Sequence, residues 1–126
     1  MEVHQCELYF CQVLAHNTAD NIPALAWQVV GDEAILVGYN AAMERLTCGG
    51  IETALGVPIS EFSDPEMCNR LLAVERTGQA VIFESVRKLR TGPGTYRFIT
   101  VMCPDAGGRV ILYAQPLEQL EVEFET

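Results

Sequence analysis

Three strand-like runs in the last third of the chain constrain the fold more than any other feature. Residues 80–89, 95–103 and 109–116 are rich in Val, Ile, Phe, Tyr and Thr, in period-two or nearly continuous apolar patterns. Glycine-containing segments at 92–94 and 105–108 separate them. Because such segments are typical of turns, the pattern predicts an antiparallel meander.

Two shorter runs of the same kind lie earlier in the chain. Residues 25–30 and 34–39 are rich in β-branched and aromatic side chains, and a Gly-Asp-Glu segment at 31–33 separates them. The pattern predicts a β-hairpin, which brings the expected sheet to five strands.

The region between the hairpin and the meander has helical patterns. Residues 40–48 place apolar side chains on one helical face, which predicts a short helix. A longer helix is expected at 65–76, because Asp64 is a good N-cap and Pro65 suits the first helical position. Gly78 supplies the stop. The expected fold is therefore α+β, with short helices on one face of a five-stranded antiparallel sheet.

Both ends of the chain carry amphipathic patterns. The first sixteen residues have helical spacing of apolar side chains, which predicts an amphipathic helix. An isolated helix of this length is marginal in water, so its apolar stripe needs a partner. We expect a homodimer in which the stripe packs against a second copy or the outer face of the sheet. The predicted interface residues are Val3, Phe10, Val13 and Leu14.

The acidic tail holds apolar residues at spacings of three and four. Leu117, Leu120 and Phe124 follow this spacing among glutamates, which predicts the beginning of a helix or coiled coil. The chain divides accordingly into an amino-terminal helix at 1–20, a main domain at 21–117 and an acidic linker or tail at 118–126.

Length and charge exclude several classes of protein. A chain of 126 residues suits one domain with one core. Seventeen Asp and Glu against eight Lys and Arg give a net charge of −9, which repels nucleic acid and anionic membranes. No apolar run approaches the roughly 20 residues that span a bilayer, and the amino terminus lacks the basic start of a signal peptide. We expect a cytoplasmic protein without nucleic-acid or membrane partners.

The five cysteines are consistent with that compartment. They are odd in number, widely spread and without a CxxC pair, which argues against a disulfide framework or a zinc site. We interpret them as small buried hydrophobic residues. His4, Cys6 and Cys11 lie close together but lack a fourth ligand at conventional spacing, so no metal site is predicted.

From residue 21 to residue 117 the chain resembles a PAS domain, the small sensory module of signalling proteins. The similar segments are Asn-Ile-Pro-Ala at 21–24 before the first strand, Asn-Ala-Ala at 40–42, the segment 50–59 with its Leu-Gly pair, Phe62, Tyr-Arg-Phe at 96–98 and Cys-Pro at 103–104. The resemblance implies a sheet that cups a cavity closed by helices. In this family the cavity holds haem, a flavin, a small metabolite or only side chains.

The cofactor motifs of the family are missing from this sequence. Light-sensing flavin members use a cysteine within Asn-Cys-Arg-Phe-Leu-Gln, whereas Cys48 precedes two glycines and Cys68-Asn69-Arg70 only echoes that motif. Oxygen-sensing haem members place a histidine on the long helix, and residues 67–78 contain none. Haem and covalent flavin chemistry are therefore not predicted, and the cofactor is unknown.

Seven residues are candidates for lining the cavity, with packing alone as the competing interpretation. Trp27 can be a core aromatic or a stacking surface for a ligand, and Asn40 is expected chiefly to cap a helix. Met67 is flexible enough to adapt to an irregular ligand. The full set is Trp27, Asn40, Met43, Met67, Leu71, Phe83 and Phe98.

The positive charge is unevenly distributed. Residues 1–44 contain six acidic side chains and no Lys or Arg, while half of the basic residues, Arg87, Lys88, Arg90 and Arg97, gather at one hairpin. This cluster is either a solvated loop or a docking patch for an acidic surface, including a second copy of the chain.

Catalytic patterns are weak. The chain has two histidines, no GxSxG turn and no phosphate-binding loop, so an enzyme is not predicted. The leading hypothesis is a sensory or regulatory module that binds a small apolar ligand or dimerises and relays its state to an effector such as a histidine kinase. The alternatives are a ligand-free protein-interaction scaffold and a small α+β isomerase, which would need a more polar cavity than these apolar positions provide.

Overall fold

The computed structural model describes residues 21–89 and 94–120. The predicted amino-terminal helix and its four interface residues, both histidines, the hairpin residues 90–93 and the tail from 121 lie outside the described residues. Predictions that fall there stay predictions.

The sheet has five antiparallel strands in the order β2-β1-β5-β4-β3. The strands are β1 (Ala24–Val30), β2 (Glu33–Tyr39), β3 (Val81–Lys88), β4 (Thr95–Asp105) and β5 (Arg109–Leu120). β1 and β2 form the predicted hairpin, and β3, β4 and β5 form the predicted meander. β5 joins the two parts by pairing with β1, so that Trp27 lies opposite Val110. The predicted α+β sheet architecture is confirmed.

The helices connect β2 to β3. They are α1 (Ala41–Leu46), a 3₁₀ helix (Gly50–Ala54), α2 (Ile59–Phe62) and α3 (Pro65–Thr77). α3 begins as predicted, because Asp64 Oδ1 accepts a hydrogen bond of 2.9 Å from the Met67 N–H. It ends at Gly78, whose φ of +70° is accessible to glycine without strain.

The main core lies between the helices and the inner face of the sheet. It joins Trp27 and Leu36 of the hairpin, Leu71 of α3 and Met102 of β4, each at most 1% exposed. Because strand side chains alternate between faces, Val101 and Cys103 belong instead to the outer face. There they form a smaller buried cluster with Ala24, Ala80 and Tyr113.

The predicted helix at the tail is wrong for residues 117–120. β5 continues to Leu120, which pairs with Thr95, while Glu118 pairs with Arg97. The register shifts between Arg97 and Phe98, so Leu117 is an extra residue in a bulge next to Pro116. Leu117 and Leu120 are three residues apart in sequence, and here that spacing belongs to a bulged strand and not to a helix.

The cysteines differ in burial. Cys103 is buried, but it is disulfide-bonded and not a free thiol, so the interpretation of the cysteines as unbonded buried residues is wrong there. It is also wrong for Cys48, which is exposed because it follows α1 in a turn with a φ of +53°. Cys68 on α3 is half-buried, and burial, reinforced by Glu33 and Asp64, raises the pKa of its thiol. Within the described ranges no cluster of three His, Cys, Asp or Glu could hold a metal ion. Nor does any helix there have the length and apolarity to cross a membrane.

Candidate functional site

A cavity of about 120 Å³ lies between the inner face of the sheet and the helices. Its sheet side consists of residues that alternate inward along the strands: Leu25, Trp27, Thr100, Leu112 and Ala114, with Arg87, Lys88 and Leu89 where β3 ends. Its helical side consists of Met43, Leu46, Thr47, Ile51, Ile59, Phe62, Ser63 and Met67. The cavity is therefore mostly apolar and has only a few polar groups, which is typical of small-molecule sites.

The indole of Trp27 is the centre of this lining. It is 1% exposed and meets the edge of the Phe62 ring, with ring centroids 5.5 Å apart. Its Nε1 is fully buried and has no hydrogen-bond partner among the described residues. Leaving a buried donor unpaired costs about 1–3 kcal/mol, so this N–H is an unsatisfied polar group beside the cavity.

On the helical side of the cavity, the buried hydroxyl of Thr47 already has hydrogen-bond partners. Thr47 Oγ1 donates to the Met43 carbonyl at 3.0 Å and accepts from the Ile51 N–H at 3.1 Å. This hydroxyl joins α1 to the 3₁₀ helix and gives the cavity wall a fixed shape. Of these two groups, Trp27 rather than Thr47 has unused hydrogen-bonding capacity.

Arg87 and Lys88 border the cavity where β3 ends, and alternation along the strand puts the Arg87 side chain on the inner face and the Lys88 side chain on the outer face with Val86. Arg87 Nη1 donates to Asp64 Oδ2 at 3.0 Å, so the residue that caps α3 also holds the end of β3. The Met67 N–H, and after it Arg87, keep the pKa of Asp64 below its ordinary value of 3.8. Lys88 is exposed and has no carboxylate within ion-pair distance among residues 21–89 and 94–120.

Three of the seven predicted lining residues lie at the cavity: Trp27, Met43 and Met67. The other four do not line it. Leu71 is completely buried within the core, and Phe98, 3% exposed, packs against Tyr96 with ring centroids 5.7 Å apart. Phe83 points into a separate groove beside α3, where the Arg70 guanidinium lies 4.2 Å from its ring centroid.

Asn40 is a structural clamp rather than a cavity residue. Its Oδ1 accepts from the N–H groups of Ala24 and Met43, each at 3.0 Å, and its Nδ2 donates to the Ile22 carbonyl at 2.8 Å. One side chain therefore ties the entry of β1 to the start of α1. The expectation that Asn40 caps the helix is confirmed.

The sequence-based set missed much of the lining. Ile59, Phe62, Thr100, Leu112 and Ala114 all border the cavity. Alternation along β4 could have identified Thr100, since it shares a face with the predicted Phe98. Leu112 and Ala114 lie on β5, where the predicted set had no position. The helical residues Ile59 and Phe62 depend on how the short helices fold over the sheet, which periodicity does not show.

The outer face of β3 and β4 carries a different surface, which we call the outer patch: Ile82, Val86 and Ile99, exposed by 46%, 56% and 38%. Ile99 lies opposite Glu84, so that Ile82 and Val86 are its diagonal neighbours. Beside the patch, Arg97 forms ion pairs with Glu84 and Glu118. Arg97 and Arg87 thus point to opposite faces, and the basic residues described do not form one docking patch.

Comparisons with known structures support this architecture. The chain is similar to a LOV protein of Rhodobacter sphaeroides at 11% identity, covering 90% of this chain and 70% of that one, with a TM-score of 0.64. It is also similar to the PAS domain of an HTR-like protein from Haloarcula marismortui, at 16% identity, 86% and 96% coverage and a TM-score of 0.60. A blue-light activated histidine kinase of Erythrobacter litoralis matches at 17% identity over 82% of this chain and 35% of the kinase, with a TM-score of 0.61.

No protein-family model and no curated protein matches the sequence. At these identities the structural likenesses establish the fold, and the chain has the fold of PAS and LOV domains. This confirms the resemblance noted in the sequence.

The described residues do not fit the flavin chemistry of light-sensing LOV domains. No described cysteine lines the cavity, so no thiol is placed to react with a flavin ring. The volume of about 120 Å³ is below that of an engineered cavity of about 150 Å³ that binds benzene. A three-ring flavin or a haem would require the helices to move away from the sheet.

Proposed function

We propose that this chain is a sensory or regulatory module that binds a small apolar ligand in the Trp27 cavity and relays its occupancy to an effector. The observation that carries the proposal is the cavity itself, apolar and centred on a buried indole whose N–H is unpaired. The fold supports it, because structures with this fold include the domain of a sensory box histidine kinase. The effector in the proposal is accordingly a protein such as a histidine kinase, and no catalytic step is assigned to this chain.

Filling the cavity provides the test. Ala114 lines it and is 8% exposed, so Ala114→Leu would occupy the space that the ligand needs. Ala73 on the exposed side of α3 offers a matched control, Ala73→Leu, with the same chemical change away from the cavity. Native mass spectrometry should detect a retained small molecule on the wild type and Ala73→Leu proteins but not on Ala114→Leu. Equal retention by all three proteins would contradict the proposal.

A second candidate function, pairing of proteins without a ligand, is favoured by the outer patch. Three exposed aliphatic side chains on adjacent strands are unusual for a surface that stays in water. In this proposal the patch mediates homodimerisation, and the predicted stripe of Val3, Phe10, Val13 and Leu14 contributes to covering it. The cytoplasmic location stays a prediction from the sequence.

Light scattering coupled to size-exclusion chromatography tests the dimer. Val86→Lys should convert a dimer into a monomer, since it places a charge within the outer patch. Val30→Lys is the matched control, because Val30 is 62% exposed at the end of β1, away from β3 and β4. A strict monomer for the wild type, or equal effects of both variants, would contradict the proposed interface.

A further inference from the structure

One part of the outer face of the sheet is buried, and another part is open to water. On β4, Val101 and Cys103 are each 4% exposed, whereas Ile99 on the same strand and face is 38% exposed. The buried part, which we call the outer cluster, consists of Ala24, Ala80, Val101, Cys103 and Tyr113. Among the described residues no helical side chain belongs to it. Because a sheet face is buried only where another element packs on it, the burial points to a covering element outside residues 21–89 and 94–120.

The bonding of Cys103 indicates which part of the chain that element is. Cys103 is disulfide-bonded. The chain has five cysteines, and Cys48 and Cys68 are free. Within the chain the partner of Cys103 is therefore Cys6 or Cys11. Both belong to the amino-terminal segment for which the sequence predicts an amphipathic helix, and a bond to either brings that segment to the outer face.

The path of the chain allows this segment to reach the outer cluster. The chain enters β1 beside the cluster, since Ile22 packs against it. Ala24 is separated from Cys103 by two strand spacings and two residues along β4, a distance of about 12 Å. Residues 7–20 span about 21 Å even as a helix, so the connection is long enough.

The helical spacing selects Cys6 rather than Cys11 as the partner. Cys6 lies three residues after Val3 and four before Phe10, so in the predicted helix it belongs to the apolar stripe. Cys11 directly follows Phe10 and lies about 100° further around the helix axis, outside the stripe. A stripe that packs on an apolar cluster therefore presents Cys6 to Cys103.

We propose that residues 1–20 dock on the outer cluster of the same chain and that a disulfide between Cys6 and Cys103 fixes them there. Docking buries the predicted stripe, which supplies the partner that an isolated amphipathic helix of this length needs. The bond forms when a disulfide oxidant such as oxidised glutathione takes two electrons and two protons from the two thiols and leaves as two thiols. Dithiothreitol reverses the step by giving up two electrons and two protons and becoming a cyclic disulfide.

This site is independent of the proposed ligand cavity, which lies on the other face of the sheet. It borders the surface proposed for dimerisation, because Val101 lies opposite Ile82 of the outer patch. A docked segment therefore lies next to the outer patch, and reduction of the disulfide leaves its position to the apolar contacts alone.

Peptide mapping identifies the bond. The protein is equilibrated with oxidised glutathione, its free thiols are blocked with N-ethylmaleimide, and it is cleaved after glutamate without reduction. Cleavage after Glu7 separates Cys6 from Cys11. We expect a linked peptide pair that contains Cys6 and Cys103, in a protein with three blocked cysteines of five. A bond from Cys11 to Cys103, a bond between two copies, or five blocked cysteines would overturn the assignment.

Stability provides a second readout of the bond. Closing a loop from residue 6 to residue 103 restricts the unfolded chain. With oxidised glutathione, the urea midpoints of the wild type and Cys11→Ser should exceed that of Cys6→Ser by about 1–2 M. With dithiothreitol the three midpoints should coincide. Equal midpoints of the two variants under oxidising conditions would overturn the role of Cys6.

Thiol labelling tests docking without the disulfide. In the reduced protein the docked segment covers Cys103, and N-ethylmaleimide should label it slowly relative to the half-buried Cys68. Phe10→Asp puts a charge into the stripe and should increase this relative rate at least about tenfold, since burying a carboxylate costs more than that factor. Gln12→Asp is the matched control, because residue 12 lies outside the stripe.

The same relative rate in the wild type and both variants would overturn docking. The rate should also be independent of protein concentration. Slower labelling of Cys103 at higher concentration would show that a second copy provides the cover, and it would overturn docking within the chain.

Discussion

The two faces of the sheet use the same strands for opposite purposes. On β4, Met102 faces inward and is completely buried, whereas Ile99 faces outward and is 38% exposed. The inner face packs against helices and leaves a cavity beside Trp27, while the outer face presents the outer patch and the ion pairs of Arg97. The comparison indicates that the packed inner face contributes most of the stability of the fold. For the exposed outer face, association with another protein is the role to test.

The largest expected loss of stability follows truncation of an inward-facing side chain of β4, and an outward-facing side chain of the same strand gives the comparison. Met102→Ala should lower the free energy of unfolding by about 2–5 kcal/mol, because it removes a fully buried side chain and leaves a void. Ile99→Ala should cost about 1 kcal/mol or less in the monomer, since that side chain is already partly in water. Urea unfolding measures both. Comparable losses would show that the faces do not differ as described.

Loss of the hydrogen bonds of Asn40 should have the second largest effect on the free energy of unfolding. Asn40→Ala removes three hydrogen bonds that join β1 to α1, and we expect a loss of about 1–3 kcal/mol. Asn40→Asp is the matched variant, because it keeps the acceptor and removes the donor to the Ile22 carbonyl. It should lose less stability than Asn40→Ala in thermal unfolding, and the reverse order would argue against Oδ1 as the main contact.

Acid should expose the role of Asp64. Its pKa is lowered in the folded protein, so its contribution is present above its unfolded value of 3.8 and is lost as the pH falls through the folded value. Asparagine caps a helix as well but does not titrate. Asp64→Asn should therefore lose less stability than the wild type between neutral pH and about pH 3, as measured by urea unfolding.

Glu66→Gln provides the control for Asp64. Glu66 lies in the same first turn but pairs with Arg70 and caps nothing. This variant should keep the acid response of the wild type. If it flattened the response as much as Asp64→Asn, the effect would reflect general charge rather than the cap.

The smallest effect is expected on the outer face. Arg97→Gln breaks exposed ion pairs with Glu84 and Glu118, which should cost less than about 1 kcal/mol and decrease further with added salt. Thermal unfolding at low and high salt measures it. A large loss of stability that added salt does not reduce would contradict the interpretation of these contacts as weak, exposed ion pairs.

The strands and α3 could be predicted from sequence because their signals are local. The β-branched residues of 80–89 and 95–103, and the Asp64-Pro65 start with Gly78 as the stop, each specify a structure within a few residues. The strand at residues 117–120 could not be predicted in this way. A bulge at Leu117 interrupts the period-two pattern, and the bulge is defined only by the pairing of β5 with β4.

The cavity could be predicted only in part. Trp27, Met43 and Met67 were found as large apolar residues on faces expected to be buried. Phe83 and Phe98 carry the same signal, but their positions relative to the helices decide that one meets Arg70 and the other packs within the core. The placement of Arg87 at the cavity depends on its ion pair with Asp64 at the start of α3, which the charge pattern alone did not reveal.

Xenon binding tests the central claim, that a ligand-sized apolar space lies beside Trp27, most directly. Xenon enters apolar cavities of this size. Crystals pressurised with xenon should show an atom in contact with Trp27, Met43 and Met67 in the wild type and in Ala73→Leu, and none there in Ala114→Leu. Absence of xenon from that position in the wild type would contradict the account.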